Sequence, residues 1–148
     1  MKASPEERAG VVLANGIFDL LHVGHVRYLE AARAAGESLV VALNSDDSAR
    51  RLKGEGRPLI PLPERLELVA ALACVDWVTW FDEDNVEEVL RRVRPGAHAK
   101  GSDYTVESVP ERAAALALGI RTIIAGDPKR HASSDLIRRI REGQPGAR

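Results

Sequence analysis

The 148-residue chain contains a single cysteine, Cys74, so no disulfide can form within it. Cys74 lies in the apolar run Ala70–Val75 and reads as a small core residue of a chain kept in a reducing compartment. An excess of either charge is also missing. Lys and Arg number 21 against 22 Asp and Glu, a formal net charge of -1. That balance gives no general field for a nucleic acid backbone, and no nucleic acid partner is expected. No apolar run approaches the roughly 20 residues of a membrane span. The charged segment Met1–Gly10 does not read as a signal peptide. A cytoplasmic protein without a membrane partner is therefore expected. Aromatic residues make up 4% of the chain, and Trp77 and Trp80 are read as packing or dimer-interface residues, not base-stacking ones. The Gly-x-Gly-x-x-Gly fingerprint of dinucleotide binding is absent after the first apolar run, which argues against that class.

What the chain does contain is an alternation of short apolar runs and amphipathic patterns in a length that fits one domain. Val11–Ala14, Leu39–Leu43, Val75–Phe81, Ala97–Ala99 and Ile120–Ala125 read as five strands. Leu39–Leu43 is apolar throughout, as suits a strand covered on both faces. Helices are expected over Gly24–Ala35 with Gly36 as C-cap, Pro63–Ala73, Asn85–Val93, Val109–Leu118 closed by Gly119, and Ser133–Arg141 with Ser133 or Ser134 near its cap. The fold class predicted is α/β: a Rossmann-like, doubly wound parallel sheet of about five strands with helices on both faces. Residues 1–148 form one domain in this reading, with residues 1–10 and 143–148 as flexible tails. The acidic run Asp82–Asp84 is read as a solvated face. The stretch Ser45–Leu62 is long and poor in apolar residues, and it reads as a mobile lid at the carboxyl end of the second strand.

The chemistry concentrates in Asn15–His25, between the first strand and the first helix. Amides at a helix N-terminus lack intrahelical acceptors, and the helix dipole favours an anion there. Gly16 permits a tight turn, and Gly24 removes a side chain where a phosphate approaches the backbone. His22 and His25, three apart, fall on one face as donors to phosphate oxygens. Asp19 places a carboxylate in the same crevice, to hold Mg²⁺ or orient an attacking phosphate. A zinc site from His22, His25 and Asp19 is the competing reading, with Cys74 too far into the core to complete it. Arg65, near a helix start where the dipole disfavours it, points to a ligand anion. Asp103 follows Gly101 beyond the fourth strand, on the ligand side of such a sheet.

Gly16–His25, with its His-x-Gly-His, resembles the signature of the cytidylyltransferase-like nucleotidyltransferase superfamily. Arg51–Gly54, Gly56–Pro58, Glu64–Arg65, Leu72–Asp76 and Lys100–Tyr104 are similar to the heptose 1-phosphate adenylyltransferase branch, which is often fused to a sugar kinase. The resemblance covers roughly Asn15–Ile140. It implies transfer of a nucleotide, AMP from ATP, to a sugar phosphate with release of pyrophosphate. It assigns His22, His25 and Lys53 to catalysis, and Gly16, Ile17, Phe18, Gly24, His25, Ser133 and Ser134 to the nucleotide. Asp19, Arg65, Lys100, Gly101 and Asp103 go to the substrate phosphates. It implies Mg²⁺ carried by the triphosphate, with Asp19 as the one protein group near it, and a homodimer. The chain departs from the branch at Ser102, where glycine is usual, and at His131–Asp135, where a Ser-Thr-Thr run is usual. It has Asp127 near where the glycerol-phosphate cytidylyltransferase branch carries arginine, with Lys129 or Arg130 as substitutes. Transfer of CMP to glycerol 3-phosphate or another alcohol phosphate, and a non-catalytic nucleotide sensor, are the alternative functions.

Overall fold

The computed structural model describes residues 4–128 and 132–143. Five parallel strands form one sheet in the order β3-β2-β1-β4-β5. They are β1 Val11–Gly16, β2 Ser38–Asn44, β3 Trp77–Phe81, β4 Ala97–Gly101 and β5 Arg121–Ala125. The helices are α1 Pro5–Ala9, α2 Val23–Ala34, α3 Asp46–Lys53, α4 Leu62–Ala70, α5 Glu87–Val93, α6 Arg112–Ala117 and α7 Ser133–Arg141. A 3-10 turn at Val106–Ser108 precedes α6. The fold is the doubly wound Rossmann-like sheet that the alternation predicts.

Period-two alternation sends each strand's apolar residues to two cores. Val12 and Ala14 of β1 and Leu39, Val41 and Leu43 of β2 pack with Leu29 and Ala32 of α2 and Val69 of α4. Leu13 and Ala42 face the other way, onto Val89 and Leu90 of α5 and Ala115 of α6. Complete burial of each Val or Leu among them stabilises the fold by about 1.5–3 kcal/mol. Cys74 sits half-buried at the rim of the first core, where burial pushes its thiol up from the ordinary cysteine range.

Several expectations need correction. Residues 5–9 are a helix, not a flexible tail. Ser4 and Glu7 form a capping box, and Gly96 N–H donates to Arg8 O. Half of the expected lid is α3, which has few apolar residues and so no periodicity to betray it. Its signals are polar: Ser45 caps it, Asp46 and Asp47 open it, and Arg50, Arg51 and Lys53 close it. Asp82–Asp84 is exposed, as expected, and it also holds α3 in place. Ser45 Oγ donates to Asp82, Ser48 Oγ to Glu83 O at 2.8 Å, and Arg51 Nε to Asp84 at 2.8 Å. Gly119 does end α6 with a left-handed φ of 72°. Gly36 has another reason to be glycine: a Cβ there would lie 2.6 Å from Gly10 O. The C-cap of α2 is Ala35, at φ -83°. At α7 the N-cap is Ala132, so neither Ser133 nor Ser134 occupies the cap. Residues 144–148 of the expected C-terminal tail lie outside the described residues.

Candidate active site

The strand order reverses beside β1, and doubly wound sheets bind ligands at the carboxyl ends of the strands flanking such a point. A cavity of about 850 Å³ opens there. Gly16, Ile17, Phe18, Asp19, His22, Gly24 and His25 line it from the β1–α2 turn, and Lys53 from the end of α3. Lys100, Gly101 and Asp103 line it from the end of β4, and Ser133 and Ser134 from the start of α7. Thirteen of the fourteen residues singled out in the sequence thus meet at one place. Arg65 is the exception.

Arg65 is completely buried and does not reach the cavity. Its Nε donates to Ile60 O at 2.8 Å. Nη1 donates to Ile17 O at 2.7 Å and Asn44 O at 2.9 Å, and Nη2 to Asp46 Oδ1 at 2.7 Å. The expected anion ligand is instead a tie between the carboxyl ends of β1 and β2 and the start of α4. Asp19 is similarly engaged. It is 2% exposed. It accepts from Arg57 Nε at 2.9 Å, Leu59 N at 2.9 Å and Ile60 N at 3.0 Å. The carboxylate holds the 57–60 segment against the turn.

These ties fix a strained backbone. Phe18 and Leu20 both have φ of 54°, a left-handed conformation that a non-glycine residue seldom adopts. Such residues cost about 1–3 kcal/mol each and persist where their surroundings over-determine them. Here Arg65 holds Ile17 O, and Ser133 Oγ donates to Asp19 O and lies 3.3 Å from Leu20 O. Phe18 is buried and its ring packs 5.3 Å from that of His25.

His22 and His25 complete the turn as an imidazole version of the capping box. His22 Nδ1 accepts from Gly24 N at 3.1 Å, and His25 Nδ1 accepts from His22 N at 3.2 Å. The two rings stack with centroids 3.9 Å apart. An Nδ1 that accepts a backbone hydrogen bond carries no hydrogen, so each neutral ring bears its proton on Nε2. The geometry thereby fixes one tautomer for both side chains at the wall of the cavity. Lys53 closes α3 and is therefore on a helix end, not on a free loop as expected.

On the opposite wall, Lys100 Nζ stands 4.7 Å from the centroid of the Tyr104 ring and 3.8 Å from Glu111 Oε2. Tyr28, partly buried in the wall, donates to Ala99 O at 2.7 Å, and burial pushes its phenol up from the ordinary tyrosine range. His98 is buried beneath Asn15, its Nε2 2.9 Å from Asn15 Oδ1, and burial with the Lys100 charge lowers its pKa to about 3. Neutral His98 therefore donates to Asn15. Asn15, Arg57, His98 and Glu111 belong to the cavity or its support, and the motif reading missed them. A polar His98 and Lys100 in an otherwise apolar strand was the available signal. Ser102, in place of the usual glycine, donates to Asp127 O at 2.5 Å and so joins the loops after β4 and β5. Asp127 itself pairs with Arg27 at 3.5 Å. Lys129, Arg130 and His131 lie outside the described residues. Those residues contain no group of three or more His, Cys, Asp or Glu placed to hold a metal ion, and no helix among them is long and apolar enough to cross a membrane.

The chain matches the cytidylyltransferase-like family over residues 13–140. The bifunctional protein HldE of Methylococcus capsulatus is 45% identical over 142 residues, which are 94% of this chain and 30% of that protein. HldE of Alkalilimnicola ehrlichii is 50% identical over 114 residues, 77% of this chain and 24% of that protein. The chain thus spans less than a third of the length of these relatives. Among solved structures, the lipopolysaccharide core biosynthesis protein of Thermoplasma volcanium matches with a TM-score of 0.70 and 26% identity, over 80% of this chain and 98% of that one. Pantothenate synthetase of Thermus thermophilus shares the fold at a TM-score of 0.56 and 16% identity, over 79% of this chain and 55% of that one. With the His-x-Gly-His turn at the switch point of its sheet, the chain belongs to the cytidylyltransferase-like family.

Proposed function

We propose that the chain transfers AMP from ATP to a sugar 1-phosphate such as heptose 1-phosphate. One oxygen of the acceptor phosphate bonds to the α-phosphorus of ATP. The bond from that phosphorus to the bridging oxygen breaks, and pyrophosphate leaves with the electron pair. The observation that carries this reading is the pair of stacked histidines whose Nδ1 atoms are committed to the α2 backbone. Their Nε2–H groups are preorganised donors for charge developing on the transferring and leaving phosphates, the costliest part of such a displacement.

In this reading Gly16, Ile17 and Phe18 shape the turn that cradles the triphosphate, Gly24 lets it approach α2, and Ser133 and Ser134 flank it from α7. Ser133 serves through the turn it braces. Lys53 brings a cation from the end of α3. Lys100, Gly101 and Asp103 serve the acceptor, and Asp19 acts by holding the 57–60 segment in place. Mg²⁺ enters with the nucleotide as part of the substrate, consistent with Asp19 having its oxygens engaged by Arg57 and two backbone amides. When bound, the ion neutralises charge on the phosphate oxygens. We further assign the chain to the cytoplasm as one nucleotidyltransferase domain and a homodimer. Trp77 and Trp80, 68% and 55% exposed on the sheet-edge strand β3, support the dimer.

The preference for ATP over CTP, and for a sugar 1-phosphate over glycerol 3-phosphate, follows from the likeness of Arg51–Asp76 and Lys100–Tyr104 to the heptose branch. The test is kcat/KM by pyrophosphate release for each nucleotide with each acceptor. ATP with heptose 1-phosphate should lead by a large factor, because a site built to hydrogen-bond one base edge leaves its polar groups unpaired against another. Preference for CTP with glycerol 3-phosphate would overturn the substrate assignment. No pyrophosphate from any pair would favour a nucleotide sensor.

A further inference from the structure

The cavity has two chemically distinct walls, and the parity of the strands separates them. Leu13 pairs with His98 across the β1–β4 ladder, and paired residues of parallel strands share a face. Leu13 belongs to the core under α5 and α6, so Asn15, His98 and Lys100 rise on that side. The histidine turn opens α2, which covers the other face. A triphosphate seated on the α2 wall leaves the α5–α6 wall to the second substrate.

Glu111 stands on that second wall. It is the N-cap residue of α6 and is 3% exposed, and it lines the cavity. Its Oε2 is sealed from solvent and accepts no hydrogen bond among the described residues. The cation paired with it among the described residues, Lys100 Nζ, is 3.8 Å away, beyond hydrogen-bond reach. A carboxylate has about four lone-pair sites, and a buried one left unfilled is costly to keep. Core packing does not require it there: α6 contributes Ala115 to the core. Nor does a phosphate suit this spot, since the carboxylate repels it at close range. The complementary ligand group is a neutral donor with several hydroxyls, placed so that the acceptor's phosphate lies toward Lys100 and the histidines.

We propose that Glu111 is a specificity-determining residue of the acceptor site and accepts hydrogen bonds from hydroxyl groups of the acceptor's sugar. This rests on the reading of the chain as a sugar-phosphate adenylyltransferase. It adds a residue outside the His-x-Gly-His turn and outside Lys100–Tyr104. Lys100 stands beside the Glu111 carboxylate and orients it, and Tyr104 holds Lys100 through its ring face.

The experiment compares wild type with Glu111→Gln and Glu111→Ala in steady-state pyrophosphate release from ATP and heptose 1-phosphate. Thermal melting confirms that each variant folds, and Gln keeps the side chain's shape if Ala does not fold. Loss of hydrogen bonds to a charged group should raise the KM for heptose 1-phosphate roughly 10–100-fold. The KM for ATP should stay within about 2-fold of wild type. An unchanged acceptor KM in a folded variant would overturn the inference alone. So would a rise confined to the KM for ATP with a lost preference over 2′-deoxy-ATP, since Glu111 would then serve the nucleotide's ribose. No pyrophosphate from wild type with any sugar 1-phosphate would overturn the functional reading and this inference together.

Discussion

At the entrance to α2 two imidazoles take the positions where Ser and Glu ordinarily make a reciprocal cap. The substitution couples folding to chemistry, because the nitrogen that caps the helix is the one that cannot carry the proton. Alanine at His25 should lower kcat by roughly 10²–10³, the scale of one lost preorganised donor. His22→Ala should do the same. Stopped assays on folded variants check this, and near-normal turnover in both would contradict it. His98 makes a different prediction. Its pKa is lowered to about 3 by burial, against an ordinary value of 6.5. Above pH 6.5 both folded and unfolded chains hold it neutral. Below that, the unfolded chain binds a proton that the folded one refuses, so stability falls as pH drops from 6.5 toward 3. The slope from this group is roughly 1 kcal/mol per pH unit. Denaturant titrations across that window should show it, and His98→Val should flatten it. At this scale the sequence was most legible where residue type and spacing define a local motif. Arg65 was misread because two of its carbonyl acceptors, Ile17 and Asn44, lie 48 and 21 residues away in the chain. Nothing local distinguishes an arginine that binds carbonyls from one that binds a phosphate.

Strand β2 is followed by an excursion that binary patterning reads as loop, and its polar ties explain both its order and its function. Asp46 accepts from Leu62 N at 2.9 Å and from Arg65 Nη2, so the two ends of the excursion are joined. Asp19 anchors its middle through Arg57, Leu59 and Ile60. Between these anchors, Lys53–Gly56 is the stretch without such a tie among the described residues. Cleavage by trypsin after Lys53 should therefore slow at saturating ATP and Mg²⁺ if the lysine closes over the triphosphate. Equal rates with and without nucleotide would count against that movement. Arg65→Ala leaves Asp46 and three carbonyls without their donor, and should cost about 3–5 kcal/mol in urea unfolding. A ligand role would instead raise the KM for ATP with stability unchanged. The strands and α2, α4, α5 and α7 were legible because apolar periodicity specifies them. The helices α1 and α3 were not, because they bury almost no apolar surface and their determinants are single polar bonds.

The whole molecule joins two walls of opposite chemical character across the carboxyl ends of β1 and β4. Donors and cations gather on the α2 and α3 side, and a lysine beside buried carboxylate gathers on the α6 side. That division suits the joining of two phosphorylated molecules, one held by its triphosphate and the other by its hydroxyls. The sheet edge at β3 exposes Trp77 and Trp80, and sedimentation equilibrium should give a mass near twice 16.1 kDa. A species of 16.1 kDa at micromolar concentration would remove the dimer. The fold class was readable at this scale because strand–helix alternation admits few topologies. The division of the cavity was not, since it depends on which strands become neighbours. The central claim is that the acceptor's phosphate attacks the α-phosphorus of ATP. Heptose 1-phosphate labelled with ¹⁸O in its phosphate should yield pyrophosphate without label and an ADP-sugar whose bridging oxygen carries it, read by ³¹P NMR. Label-free ADP with a transferred γ-phosphate, or hydrolysis to AMP with unreacted sugar phosphate, would contradict the account.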